Sequence, residues 1–161
     1  MALNSFLKVT GNTQGAIEGE CTQTGREGTM EIFEVDHTVT IPRHPQTGLP
    51  TGTRIHKPME VVKQKDKSSP LLFQACCTGE QLTTEMTFWR INDAGVQEHY
   101  FTVSLEGAII VEMQEYKANT LNPENEPYHD LERILFSYRK ISWECVTGST
   151  AAEDDWTVPT T

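Results

Sequence analysis

The side chains of this chain that could act as nucleophiles, proton carriers or metal ligands are few: His37, His44, His56, His99 and His129, and Cys21, Cys76, Cys77 and Cys145. His37 falls on the apolar side of a strand pattern, where a satisfied core or interface histidine is expected rather than a ligand. His44 and His56 lie in or beside a long polar loop, a setting that suits recognition better than catalysis. The cysteines carry neither zinc spacing nor a CxxC pair. They read as small buried or half-buried hydrophobes, and a disulfide framework is not expected in a reducing compartment. Asp154 and Asp155 form a paired carboxylate, read as solvated charges or as partners for a basic surface. There is no GxSxG, HExxH, Walker or GxGxxG sequence, and nothing in the spacing favours a Cys–His nucleophile. Catalytic, metal and cofactor sites are therefore all expected to be absent.

The elements that would position these residues are mostly strands. Short alternating runs cover Phe6–Val9, Met30–Ile41, Arg54–Asp66, Leu82–Asn92, His99–Val111 and Leu131–Val146. In the second run Phe33, Val35, Val39 and Ile41 share one face; in the third Ile55, Met59 and Val61 do. Asp93–Gly95 signals a hairpin. From His99 onward Phe101, Val103, Leu105, Ile109 and Val111 line one face, and Gly107 on that face marks a bulge or a close approach. The last run changes phase, which predicts a bend near Arg139 and Lys140. One helix is expected, with Ser69 as N-cap, Pro70 in the first turn and Gly79 just past its end. Leu72, Ala75 and Cys76 would form its buried stripe, with Phe73 beside it. The fold class is thus mainly β: an antiparallel barrel or sandwich with one flanking helix and a long extended inter-strand loop.

That loop, PRHPQTGLPTGTRIHKP at Pro42–Pro58, is too long for an ordinary hairpin connection. Pro42, Pro45 and Pro50 stiffen it, Gly48 and Gly52 allow turns, and its polar side chains cannot pack it into the core. It reads as a surface flap or, more sharply, as an arm that docks on another subunit. Trp89, Trp143, Trp156, Tyr100, Tyr116, Tyr128 and Tyr138 suit core and barrel ends, or interface anchors.

A chain of 161 residues suits one domain, read as residues 1–161 with a partly irregular tail from about 148. The formal net charge of −10 argues against nucleic acid as a partner. The locally basic set Arg54, Lys57, Lys63, Lys65 and Lys67 reads as a solvated strand face. No apolar run approaches membrane-spanning length, so no membrane insertion is expected, and the N-terminus lacks the parts of a signal peptide. The chain is expected to begin its life in the cytoplasm and not to leave by the general secretory route.

In this order, FLKVTGNTQGAIEG at Phe6–Gly19, HPQTGLPTGTRIHKP at His44–Pro58, SSPLLFQACCTGE at Ser68–Glu80, FWRINDAGVQEHYFTVSLEGAIIVE at Phe88–Glu112, SYRKISWE at Ser137–Glu144 and DDW at Asp154–Trp156 resemble the Hcp family, the tube proteins of bacterial type VI secretion. The resemblance implies a barrel with a flanking helix, assembled as hexameric rings that stack into a hollow tube inside a contractile sheath. The tube would carry effectors in its lumen and be expelled, with a VgrG-type spike at its tip, out of the cell. It also implies a fold similar to phage tail-tube proteins. The expected ring-stacking residues are Arg43, His44, Gln46, Thr47, Thr51, Arg54, His56 and Lys57. Cys76–Cys77 departs from the small, less reactive residues expected in the helix, and the short tail after DDW does not fit an effector-fused variant. Two rival readings remain open: a secreted effector enzyme of thiol or hydrolase type using Cys76 or Cys77, and a tail-tube subunit of a phage-like particle.

Overall fold

A computed structural model describes residues 3–159; Met1, Ala2, Thr160 and Thr161 lie outside the described residues. The strands are β1 Ser5–Gly11, β2 Gly15–Ile17, β3 Met30–Asp36, β4 Val39–Thr40, β5 Ile55–His56, β6 Met59–Gln64, β7 Leu82–Ile91, β8 Gln97–Tyr116, β9 Leu131–Ser137, β10 Lys140–Cys145 and β11 Thr150–Asp155. The helix α1, Ser69–Thr78, lies between β6 and β7. Antiparallel pairing runs β8–β7–β1–β3–β6–β9 and returns from β9 to β8, which closes a six-stranded barrel. Closure removes the unpaired edges that strands of this length would otherwise expose. On the far side of β8 the sheet continues outward through β10 to β11, and β2 adds to β1.

Strand β8 carries the closure because it changes partners along its length. Phe101–Glu106 pair with β10, and Ile109–Tyr116 pair with β9. The change coincides with Gly107, whose φ of 60° is left-handed. A Cβ at this glycine would lie 3.1 Å from Arg139 Cβ, so the bulge and the close approach expected there both occur. The consequence for packing is a switch of face. Val103 and Leu105 point into the barrel before the glycine, and Ala108 and Ile110 after it. The expected single apolar face through Ile109 and Val111 is corrected accordingly: Val111 is exposed.

A second correction concerns Met30–Ile41. The inward residues are Met30 and Ile32, a register shift against β6 follows between Ile32 and Glu34, and Phe33, Val39 and Ile41 are exposed. The continuous strand expected over Arg54–Asp66 is likewise two pieces. Pro58, which has no N–H to give a ladder, separates β5 from β6, so Met59 and Val61 are buried while Ile55 is exposed. The bend expected near Arg139 and Lys140 is present as the break between β9 and β10. Thr150–Asp155, read as tail, is a strand paired along the whole of β10.

Helix α1 closes one end of the barrel through Leu72 and Ala75, both buried, with Cys76 half-buried and Phe73 exposed. Gly79 is left-handed, and its N–H reaches the carbonyls of Ala75 and Cys76. Ser69 is not the N-cap: Ser68 holds that position without a side-chain cap bond, and Ser69 is the first helical residue. The Ser69 hydroxyl instead accepts the Asp66 N–H and donates to Glu132 Oε1 at 2.8 Å. This leads to Lys63, which is not on a solvated face but has no exposed side-chain surface. Its ammonium lies 2.6 Å from Glu132 Oε1 and 2.9 Å from Asp66 Oδ1, and donates to the Gln64 carbonyl at 2.8 Å. Burial pushes the Asp66 carboxyl up, but hydrogen bonds from Ser68 and Lys63 outweigh it and hold the group below its ordinary value.

An ion pair this deep is destructive when half of it is removed, because the survivor stays buried and unpaired. Lys63→Met should lower stability by about 3–5 kcal/mol. The double change Lys63→Met with Glu132→Leu should recover much of that loss. Chemical denaturation of the three proteins checks this, and a double variant no more stable than the single one would count against the pair.

Candidate functional site

The arm is a hairpin that closes upon itself. The His44 N–H donates to the Leu49 carbonyl at 2.8 Å, the Gly48 N–H to His44 at 2.9 Å and the Thr51 N–H to Pro42 at 2.8 Å. Gly48 supplies the left-handed residue of the turn with φ 70°. The side chains of Arg43, His44, Gln46, Thr47 and Thr51 are exposed, as is Lys57 at the base. Leu49, near the tip, is 65% exposed. None of these side chains makes an ion pair among the described residues.

The base of the arm is fixed from below. A short ladder pairs Val39 with His56 and Thr40 with Ile55, and the Lys57 N–H bonds to Thr38. Arg54 then reaches across to the last strand. Its Nε donates to Asp154 Oδ2 at 2.7 Å, and its Nη2 donates to the carbonyls of Asp155 and Val158 at 2.8 and 2.9 Å. His56, almost fully buried, lies 2.6 Å from the same Asp154 oxygen through Nε2 and 2.8 Å from the Tyr138 hydroxyl through Nδ1. The Tyr138 oxygen also lies 2.5 Å from His37 Nε2. One assignment of protons satisfies every group: His37 Nε2–H donates to Tyr138, Tyr138 donates to His56 Nδ1, and His56 Nε2–H donates to Asp154. Trp156 packs on His56 with ring centroids 5.2 Å apart, and Trp143 meets His37 edge-on at 6.1 Å.

The electrostatics of this cluster suit a lock, not acid–base chemistry. Burial, then the Asp154 charge, pushes the Tyr138 phenol far up, away from nucleophilic use. Burial, then the neighbouring His56, lowers the His37 imidazole. The Arg54 hydrogen bond, opposed in part by desolvation, holds the Asp154 carboxyl below its ordinary value. Cys76 is no better placed as a nucleophile, since burial and then Cys77 push its thiol up. Cys77 is exposed, which corrects the expectation that all four cysteines are buried or half-buried. His99 stacks on Trp89.

Of the residues expected to serve the arm, Arg54 and His56 are committed to groups outside it, His44 Nδ1 and the Thr47 hydroxyl accept the Gln46 and Leu49 N–H groups within the hairpin, and the side chains of Arg43, Gln46, Thr51 and Lys57 are exposed. Asp154 and Asp155 are partners for cations, as one of their two readings had it, through Arg54 and Arg139. Tyr138 and Trp156 were missed as part of the site. The one signal for the link was complementary charge, a lone arginine after the arm and a late acidic pair, but their separation along the chain hides the contact until the barrel is built.

A family model described as "Type VI secretion system effector, Hcp" matches residues 6–145. The "Major exported protein" of Pseudomonas aeruginosa is 41% identical over 169 residues, covering 99% of this chain and 98% of that protein. Among solved structures, one described as "Crystal structure of Hcp protein" superposes with a TM-score of 0.89 at 36% identity, over 95% of this chain and 97% of the other. The secreted protein Hcp3 of Pseudomonas aeruginosa gives a TM-score of 0.80 at 34% identity, over 96% of this chain and 99% of that one.

The Tyr138 hydroxyl joins two histidines, so Tyr138→Phe should leave both imidazole nitrogens without a partner and lower stability by about 1–3 kcal/mol. The pH dependence follows from His37. Its folded pKa is depressed, so the unfolded chain binds the extra proton first, and the stabilisation present above the ordinary histidine value is lost as pH falls through the lower, folded one. Thermal melts from pH 8 to pH 5 should fall, and less so in His37→Gln. An identical slope in that variant would place the titration elsewhere.

Proposed function

The chain belongs to the Hcp family of type VI secretion proteins, and from that premise we propose that it is a structural subunit of the secretion tube rather than an enzyme. Six copies associate side by side into a ring, rings stack through the arm into a hollow tube, and the lumen carries effectors. The tube assembles in the cytoplasm within a contractile sheath and is expelled with a VgrG-type spike. It neither binds nucleic acid nor enters a membrane. The whole of residues 1–161 acts as one such tube unit.

The observation that carries this reading is the arm: a self-closed, outward-pointing hairpin whose base is bonded to the last strand by Arg54 and His56. A protein that used this segment only as a loop would gain nothing from holding it so firmly. A preorganised arm loses little entropy on docking, and modest contacts repeated around a ring add up by avidity. Head-to-tail contacts of this sort do not close on themselves, so they extend into a filament. The polar side chains of Arg43, His44, Gln46, Thr47 and Thr51, with Lys57 at the base, suit a hydrated and reversible contact.

Lateral contacts have different material available. Phe33, Phe73, Val111, Tyr116 and Trp143 are exposed apolar side chains on the barrel, its helix and its added strand. Copies bearing a formal charge of −10 repel at long range, so short-range apolar and backbone contacts must hold a ring together.

Trimming Arg43–Thr53 to a short Gly-containing turn should leave folded hexamers while abolishing long tubes and secretion. Native mass measurement and electron microscopy decide it, and tubes of normal length from the trimmed protein would refute the stacking role. Rings of the intact chain should also persist at 1 M salt; dissociation to monomers there would show that ion pairs hold the ring.

A further inference from the structure

The arm is the cationic part of an acidic protein. Between Asp36 and Glu60 there is no acidic residue, while Arg43, Arg54 and Lys57 are all present. Arg54 is spent on Asp154, which leaves Arg43 in the arm and Lys57 at its base as exposed cationic groups, with Leu49 exposed near the tip. A surface that receives this arm should reverse that pattern: uncompensated carboxylates beside an exposed apolar side chain.

The connection between β8 and β9 has these properties. From Ala118 to Asp130 there is no lysine or arginine, and the segment holds Glu124, Glu126 and Asp130. Asp130 is paired with Lys117 at 2.8 Å, whereas Glu124 and Glu126 are exposed and make no ion pair among the described residues. Leu121 is 89% exposed and Tyr128 62% exposed. The segment is shaped, not loose. Its backbone turns through Pro123–Asn125, the Asn122 side chain accepts the Glu124 N–H, and the Asn125 side chain donates to the Asn119 carbonyl.

Its position matters as much as its charge. β6 begins at Met59, just after the arm, opposite Phe136 near the end of β9; at its other end Gln64 faces Leu131, where β9 begins. The arm and the acidic loop therefore stand at opposite ends of the same β6–β9 ladder, about 17 Å of strand apart. A cationic projection at one end and an acidic receiver at the other cannot satisfy each other within one copy. They can do so between two copies in the same orientation, one above the other.

We propose that the Ala118–Asp130 loop of a second copy of this chain, in the adjoining ring, is the receiver of the arm. Arg43 and Lys57 face Glu124 and Glu126, and Leu49 meets Leu121 and Tyr128. This rests on the stacking role of the arm and adds its target and its salt response. Stacking through exposed charges weakens as salt screens them, while apolar lateral contacts do not, so rising salt should part tubes into intact rings.

The test is a charge exchange on the full chain. Arg43→Glu with Lys57→Glu, and separately Glu124→Lys with Glu126→Lys, should each weaken ring-on-ring association about tenfold or more, with hexamers intact by native mass. The fourfold combination should regain stacking, read by sedimentation and by tube length in micrographs. Loss on reversing the arm with no loss on reversing the loop would overturn the receiver while leaving the arm's stacking role standing. No loss on reversing either, or no end-on association of the unaltered chain at any concentration, would overturn both. Loss in both reversals without recovery in the combination would overturn the direct pairing of these four residues.

Discussion

Everything in this molecule hangs on the pairing of β8 with β9, because that contact turns a curled sheet into a closed barrel. It requires β8 to leave one neighbour and take another in mid-strand. Only a residue that tolerates a left-handed backbone and the nearness of Arg139 permits the change, and Gly107 is that residue. Where β8 forks between β10 and β9, the chain crosses the gap through Tyr138 and Arg139, and the Arg139 N–H bonds back to the Glu106 carbonyl at 3.1 Å. Tyr138 is thus placed at the fork by the same geometry that closes the barrel. The lock beneath the arm is assembled around its hydroxyl.

The two ends of the barrel meet a common demand by different means. At one end a lysine and a glutamate are enclosed with no exposed side-chain surface, under the first turn of α1. At the other a chain runs from half-buried His37 through buried Tyr138 and His56 to part-exposed Asp154 and ends on Arg54. The first arrangement joins helix to barrel and specifies which residues of α1 face inward. The second carries position outward, from core to arm. Both depend on near-complete pairing of buried polar atoms, with Glu132 Oε2 and Thr84 Oγ1 among those left over.

Features that depend on near neighbours in sequence were legible before the fold was known. The end of the helix at Gly79, the bend after Tyr138, the bulge at Gly107 and the stiffness of the arm all follow from local residue type. The face pointing inward was harder, because one bulge inverts it: Phe33 and Val111 alternate correctly with their neighbours and still face outward. Lys63 was misread as solvated because its partner Glu132 lies on another strand and only the β6–β9 register sets them opposite each other. The site was half visible. Its exposed arm residues were readable from proline, glycine and polarity, whereas the withdrawal of Arg54 and His56 into the chain came from a strand that the acidic composition of Thr150–Asp155 concealed.

The bond between Arg54 and Asp154 also sets an order of events in time. Its two residues are separated by 100 positions, so during synthesis the arm has left the ribosome long before its anchor exists. Until Asp154 and Trp156 emerge, Arg54 lacks its carboxylate and His56 has only the Tyr138 hydroxyl, and the hairpin is tethered to its base by the short ladder of β4 and β5 and the Lys57–Thr38 bond. Firm presentation of the arm is therefore a property of the completed polypeptide. The hairpin gains its Arg54–Asp154 anchor only when the last strand docks.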